Sequence, residues 1–437
     1  MIFTILIFAF LLRLISLNQS LWLDEATTAL VAKMPIYDFF TKFMPADFHP
    51  PLYYLVIRGW WLVVSGSEIA LRLPSVVFGL LTIYFVYLIA KEIKLKYPLV
   101  PALFLATSGL HVYYSQEARM YAMATWLVSY LVFSYIKKKW VIFALLLPAI
   151  FLTDYVSLLI LPVLFMFTFF NDRKQSLPLR GKNIKQFMIS CIPFAITFIV
   201  WLPFLSKQLV AGMSIKDSAW WNILGPVTLK NVALIPTKFM IGRVGFENKI
   251  IYGIVMSIIS VFFAYVIGRA KNRLIWSWFS WSLVFGIILS FFIPTLTYFR
   301  YLFILPAFYL LLSETKSKFF IVCILIINLL ASYFYLSRER FQREDWRSVA
   351  NLIRNERIVF PSDSQKEALI YYGKGAQVIS VLDLKSDITD PVWLSRYVWE
   401  IFDPKDEARS RIDDLGYKKT AEYNFNGVEL WKYENSN

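Results

Sequence analysis

The sequence has 437 residues, 58% of them hydrophobic, with 39 Phe, 25 Tyr and 15 Trp. Its formal net charge is +15, but the basic residues sit mostly in short loops between apolar runs, where they fit the positive-inside rule better than a nucleic-acid interface. Two cysteines, Cys191 and Cys323, both inside apolar runs, leave no basis for a disulfide framework or a Cys-based metal site.

Apolar runs long enough to enter a bilayer recur along most of the chain. They predict spans at roughly 1–17, 71–90, 98–115, 118–136, 140–153, 155–170, 187–205, 249–268, 274–293, 299–312 and 319–336. Basic clusters fall at 91–96, 137–139, 172–185, 269–273 and 314–318, holding 16 Lys and Arg against the acids Glu92, Asp172 and Glu314. With about 11 spans, all five clusters lie on one face, assigned as cytoplasmic. The N-terminus is then expected inside, and the pair Asp24–Glu25 emerges outside.

The segment 51–66, PLYYLVIRGWWLVVSG, decides this parity. It is short for a span and carries Arg58, so it reads as a juxtamembrane helix in the outer interface. The external loop 206–248 carries five basic residues against two acids and goes against the charge rule.

After residue 336 the composition changes. Helix over 344–355, strand over 357–360, helix over 364–372 and strand over 376–382 come first. PVWLSRYVWEIF (391–402) then reads as strand, KDEARSRIDDLG as helix, and AEYNFNGVELWKY as a hairpin turning at Asn426–Gly427. The expected fold is mainly α: a polytopic membrane helix bundle over 1–336 with a small extracytoplasmic α/β domain over 337–437. No internal repeat or low-complexity linker is evident.

This topology gathers polar residues on the outer face: Asp24, Glu25, Asp47, His49, Glu68, Arg72, Gln116, Glu117, Arg119, Tyr121, Asp154, Tyr298 and Arg300. Ionisable residues at span ends are costly unless paired or solvated, and by default point to function. Acids and arginines at one face can activate a hydroxyl or amine and neutralise a phosphate leaving group. Simpler readings stand beside this one. Asp24 is a favoured N-cap type for a helix over 25–33, Arg72 and Arg119 can snorkel, His49 can mark a turn, and Glu117 can pair with Arg119. There is no Walker-type phosphate loop, no dinucleotide fingerprint and no D-x-D pair, so ATP-driven transport and nucleotide-sugar chemistry lack their signatures.

The stretches SLWLDEATTA, FHPPLYYLVIRGW, ALRLPSVVFGLLTIYFVYLIAKEI, YYSQEARMYAM, FRYLFILPAFYLLL and REDWRSVANLI, in this order, resemble the type-C glycosyltransferases. The similarity is nearest to the prokaryotic branch of protein O-mannosyltransferases and aminoarabinose transferases. It implies a membrane enzyme that moves a sugar from a polyprenyl-phosphate donor to an acceptor (protein, lipid or glycan) on the outer face of the cell membrane. On that resemblance Asp24 and Glu25 match the catalytic acid pair, and Arg119 and Arg300, helped by Arg72, match the donor-phosphate arginines. His49, Glu117, Tyr121 and Tyr298 complete the expected substrate-binding set. The aminoarabinose branch has Lys before the paired prolines where this chain has His49, which counts against lipid A as acceptor. No nucleotide is required, since the lipid phosphate is the leaving group. A divalent metal on carboxylates and His49 stays open, with only two His in the chain to serve a dedicated site. The partners expected are the donor lipid, membrane lipids and the acceptor, with no nucleic acid. The rival reading is a lipid-linked-sugar flippase or transporter, which would place polar residues in the middle of several spans.

Overall fold

The structure is a computed structural model describing residues 1–64, 66–170, 182–214, 221, 227–361, 365–384 and 390–435. Most of the expected basic loop at 172–185 lies outside the described residues. The chain is mostly helical with one small sheet, and divides into two compact units. One comprises Met1–Ile15, Pro35–Val56 and Arg72–Ser337; the other comprises Ser16–Met34, Ile57–Leu71 and Arg338–Asn437.

The first unit holds the apolar helices. Among the described residues, five helices are long and apolar enough to cross a membrane: Glu68–Glu92, of which Arg72 onward lies in this unit, Lys182–Met213, Lys249–Ile267, Arg273–Ser290 and Lys318–Ser337. Shorter apolar helices cover Ile2–Leu14, Tyr121–Ile136, Trp140–Phe151, Val156–Phe170 and Tyr298–Leu312. Side-chain caps start several of these elements. Asn248 accepts from the amides of Ile250 and Ile251, and Asn272 from Ile275, each satisfying N–H groups a helix start leaves open.

The run expected as one span over 98–115 is instead two helices, Val100–Thr107 and Gly109–Ser115. Extended Ser108 separates them, and its side chain caps the second at His111 N. Tyr121–Ile136 is buried along nearly its whole length, and so is Leu305–Leu312. On Lys249–Ile267, by contrast, Ile250, Ile254, Ile258 and Val261 are all exposed. This three-to-four-residue spacing is an apolar stripe on one helix face, as lipid contact requires.

The helix from the segment 51–66 runs Leu52–Trp61. Its ten residues span about 15 Å, half of a hydrocarbon core of about 30 Å.

The second unit carries a five-stranded sheet in the order β2-β1-β3-β5-β4. Here β1 is Arg357–Val359, β2 Val378–Ile379, β3 Val392–Ser395, β4 Tyr417–Phe425 and β5 Val428–Asn435. Strand β1 pairs in parallel with β2 and β3, while β5 pairs antiparallel with β3 and β4. Asn426–Gly427 turns the β4–β5 hairpin with Gly427 at φ +71°, a conformation Gly adopts without steric cost. One core of the unit packs Val359, Leu384, Val392, Leu394, Ala408, Ile412, Tyr417 and Tyr433. Helix Trp346–Ile353 buries Trp346, Val349, Ala350 and Ile353 at helical spacing.

The strand expected across 391–402 ends at Ser395 and is followed by a short helix, Trp399–Phe402. Arg396 leaves the strand direction to pair with Asp406, its guanidinium 3.9 Å from the Trp399 ring and 4.4 Å from Trp431. Val398 then takes a left-handed φ of +49°. The strand expected over 376–382 shrinks to two residues because the Ser380 side chain accepts from Leu382 N and diverts the chain into a turn. The helix expected over 364–372 spans Glu367–Tyr371, and residue 364 lies outside the described residues.

Candidate active site

In the first unit the loop after Met44–Ala46 leads through Asp47, Phe48 and His49 to Pro50–Pro51, which opens the helix Leu52–Trp61. The Asp47 carboxylate holds this loop from two sides. Its Oδ1 accepts from Phe48 N at 2.8 Å and lies 3.1 Å from His49 Nδ1, and its Oδ2 accepts from the Tyr54 hydroxyl at 2.9 Å. On the other face of the imidazole, His49 Nε2 lies 3.2 Å from Arg119 Nη2. The loop backbone is fixed by Gln208, whose Nε2 donates to the carbonyls of Met44 and His49 at 3.0 Å each. Gln208 is oriented in turn by the Tyr155 hydroxyl at 2.6 Å.

Arg119 sits in the short turn between Gly109–Ser115 and Tyr121–Ile136. Its Nη1 donates to the Tyr54 hydroxyl at 3.5 Å, and its guanidinium lies 6.0 Å from the Tyr121 ring. Burial by itself raises the Asp47 carboxyl, but His49, Arg119 and Tyr54 outweigh it and hold the group below its ordinary range. Burial lowers the His49 imidazole, and Arg119 and Arg300 add to this against the opposing pull of Asp47. His49 is therefore a neutral ring between a carboxylate and a guanidinium.

Beside this chain of contacts lies a cavity of about 230 Å³, whose lining includes Phe48, His49, Asp154, Leu205, Leu289 and Arg300. Arg300 comes from the 3-10 helix Tyr298–Ile304; it donates to Pro294 O at 3.2 Å and lies 6.0 Å from the Phe48 ring. Asp154 accepts from Ser157 N at 3.0 Å and from the Ser157 hydroxyl. Burial raises its carboxyl, with Ser157, Arg300 and His49 opposing. The cavity therefore combines a largely apolar wall with one cationic, hydrogen-bonding end.

A second cationic edge was not anticipated from the sequence. Arg243 donates to the Tyr113 hydroxyl and lies 4.4 Å over that ring, while Lys238 lies 6.0 Å from the ring of Tyr298. Burial, with the Arg243 charge nearby, lowers the Lys238 ammonium to about 8. Gly242 makes the approach feasible: its φ is +66°, and a Cβ there would fall 2.9 Å from Leu110 N. The available signal was the basic excess of the loop 206–248, which is at odds with its external placement.

Among the other residues expected at the site, Glu117 is buried in the electrostatic neighbourhood of Arg243 and Tyr114, and Tyr298 packs 6.5 Å from Tyr114. Arg72 is fully buried within Glu68–Glu92. Asp24 and Glu25 lie in the second unit, in the first turn of Leu23–Lys33. Trp22, not Asp24, occupies the N-cap position. Asp24 is half-buried, whereas Glu25 is fully buried and forms an ion pair with Arg343 Nε at 3.3 Å. Among the described residues, no group of three or more His, Cys, Asp or Glu converges to hold a metal ion.

Residues 48–203 match the family model described as dolichyl-phosphate-mannose-protein mannosyltransferase. Two solved structures, ArnT from Cupriavidus metallidurans in the apo state and bound to undecaprenyl phosphate, each align over 98% of this chain and 96% of theirs. Both give a TM-score of 0.56 at 10% identity. The Archaeoglobus fulgidus oligosaccharyltransferase tethered to an acceptor peptide aligns over 100% of this chain and 74% of its own, with a TM-score of 0.49 at 11% identity. No curated protein matches the sequence. The family match over 48–203, which covers His49 and Arg119, and the fold shared with ArnT over nearly the whole chain make this a multi-pass membrane protein similar to the type-C glycosyltransferases.

Proposed function

We propose that this enzyme moves one sugar from a polyprenyl-phosphate donor to a hydroxyl or amine acceptor, with inversion, on the outer face of the cell membrane. The observation that carries this reading is the cavity with an apolar wall and a polar end where Arg300 supplies the positive charge beside the neutral His49, continued by Arg119 through its contact with His49. A lipid phosphate has the same two-part chemistry, an isoprenoid tail and a dianionic head. The undecaprenyl phosphate held by the Cupriavidus metallidurans protein belongs to the same ligand class.

In this reaction the sugar's C1–O bond to phosphate breaks and a C1–O or C1–N bond to the acceptor forms. The departing lipid phosphate keeps the electron pair, and the acceptor's proton passes to a base. Asp24 is that base or orients the acceptor, and Glu25 assists it. Arg119, with Arg72 and Arg300, stabilises the charge growing on the phosphate. His49, Glu117, Tyr121 and Tyr298 line the substrate, and Lys238 and Arg243 extend the cationic edge. The chain crosses the membrane about 11 times, with its N-terminus cytoplasmic and residues 337–437 forming an extracytoplasmic domain.

The test is transfer from a radiolabelled polyprenyl-phosphate sugar by purified protein in proteoliposomes without any ion gradient. Label reaching an acceptor supports the enzyme. Movement of intact labelled lipid across the bilayer, with no new glycoside, supports a flippase and defeats the proposal.

A further inference from the structure

The segment that carries Asp24 is held by backbone and side-chain groups of Arg343, Arg347 and Tyr372. Arg343 donates its backbone N–H to Gln19 Oε1 at 3.1 Å while its side chain, 1% exposed, pairs with the fully buried Glu25. Arg347 donates its backbone N–H to Ser20 Oγ at 3.0 Å and its Nη2 to Asn18 O at 2.7 Å. The Tyr372 hydroxyl accepts from Leu21 N at 2.9 Å, lies 3.2 Å from Ser20 Oγ, and donates to Glu68 Oε1 at 3.0 Å. Glu68 Oε1 also accepts from Arg347 Nη2 at 2.8 Å, which closes the network. All of these residues belong to one compact unit.

A buried ion pair is a poor source of stability, because the desolvation of both charges offsets their attraction, while loss of one partner strands the other. Its best-attested use is to fix one arrangement among several. Here the arrangement is the rotation and entry angle of the helix Leu23–Lys33, whose N-cap residue, Trp22, makes no side-chain capping bond. Consecutive residues on a helix diverge by about 100°, so anchoring Glu25 inward sets the direction in which Asp24 leaves the helix. A displacement of about 1 Å in a reacting group can cost about 100-fold in rate.

We infer that the C-terminal region from Arg338 onward is a positioning device for Asp24, with Arg343 and Tyr372 as its positioning residues, acting through Glu25 and the backbone of 19–21. This rests on the role proposed for Asp24. The network makes the C-terminal domain part of the catalytic apparatus, not an appendage that captures acceptors.

The experiment uses full-length protein in proteoliposomes and a double-mutant cycle between Tyr372→Phe and Asp24→Asn. Tyr372→Phe keeps the ring and removes only the hydroxyl that holds Leu21, Ser20 and Glu68. The expected result is a 10- to 100-fold fall in kcat with donor KM within twofold of wild type, and no further fall when Tyr372→Phe is added to Asp24→Asn. Arg343→Gln should lower kcat similarly, because it strands the buried Glu25 carboxylate. If Arg343→Gln fails to fold, the Tyr372 cycle decides alone. Unchanged kcat in Tyr372→Phe, or an equal further loss in the Asp24→Asn background, overturns the inference while leaving glycosyl transfer intact. If the wild-type protein transfers no sugar, or Asp24→Asn remains fully active, it is the role of Asp24 that fails instead.

Discussion

Arg119 Nη2 and His49 Nε2 stand 3.2 Å apart, and the opposite nitrogen of the same imidazole, Nδ1, lies 3.1 Å from Asp47 Oδ1. A guanidinium can only donate, so Nε2 must accept, and the ring proton must sit on Nδ1, where it donates to the carboxylate. The ring thus links a loop acid to an arginine 70 residues beyond the histidine. A second proton on the imidazole would sit on Nε2 and point a new N–H at the Arg119 cation, a cost that together with burial outweighs the opposing pull of Asp47.

This arrangement sets a pH dependence of stability. His49 has a folded pKa below its ordinary value of 6.5, through burial first and the neighbouring arginines after it. As pH falls through 6.5 the unfolded chain takes up a proton that the folded chain refuses. The stabilisation is complete above the ordinary value and is lost on acidification toward the folded one. Thermal unfolding of wild type and His49→Gln between pH 8 and pH 5 should show a steeper decline for wild type. Parallel curves would mean that His49 is not a neutral ring held between Asp47 and Arg119.

Arg119 should matter more to turnover than to donor affinity, because the leaving phosphate gains charge only on the way to the transition state. A planar fork can meet two phosphate oxygens together, and Lys cannot reproduce this. Arg119→Lys should therefore lose most of the rate despite keeping the charge, and Arg119→Ala should lose more. If the role of Arg119 is instead to stiffen the turn with Glu117, the double change Glu117→Gln with Arg119→Gln should recover activity that either single change removes. Transfer rates for the two single variants and the double variant decide between these roles.

Asp24→Asn keeps shape and hydrogen bonding and removes the basic carboxylate. Loss of a general base costs about 100- to 10,000-fold in rate. The variant should express and melt like wild type, since Trp22 and not Asp24 is the N-cap of its helix. Near-normal turnover would reduce Asp24 to a first-turn acid that merely complements the helix dipole.

How much of this was legible in the sequence depended on the range of the interaction. The β4–β5 hairpin was readable because Asn426–Gly427 encodes its turn locally, and β1 because the apolar run at 358–360 is short and bounded. The end of β3 was not readable. It is set by Arg396 reaching Asp406 and stacking between Trp399 and Trp431, a tertiary event. The break at Ser108 was hidden in an unbroken apolar run. His49 and Arg119 were recognisable as candidates by type and by the loops they occupy, whereas their contact was not. The contacts of Arg243 and Lys238 are not legible, because a basic loop carries no hint of which tyrosines it meets. Asp24 and Glu25 are adjacent acids in the sequence, and burial separates them, leaving Asp24 half-buried and Glu25 paired with Arg343.

Membrane sidedness is open to direct measurement. Single cysteines at positions between 33 and 47, or between 345 and 435, should react with an impermeant thiol reagent in intact cells. Cysteines at 91, 96 or within 172–185 should react only after permeabilisation. Labelling of residue 91 or 96 from outside would reverse the parity on which the outer-face assignment depends.

The final prediction concerns Gly242, which ends the helix Leu229–Ile241 and delivers Arg243 to Tyr113. Its φ of +66° is disfavoured for any residue with a Cβ. A Cβ here would also lie 2.9 Å from Leu110 N and 3.1 Å from Gly109 C, both backbone atoms that cannot turn aside as a side chain would. Gly242→Ala should therefore cost about 1–3 kcal/mol of stability through strain and shift Arg243 away from the tyrosine wall. Arg243→Gln tests the second effect without the first, because it leaves the backbone unchanged. The expected pattern is a lowered melting temperature and lowered turnover for Gly242→Ala, against a normal melting temperature and lowered turnover for Arg243→Gln. If Arg243→Gln transfers sugar at the wild-type rate, the second cationic edge takes no part in the reaction, and Gly242 serves only to let two segments of backbone approach.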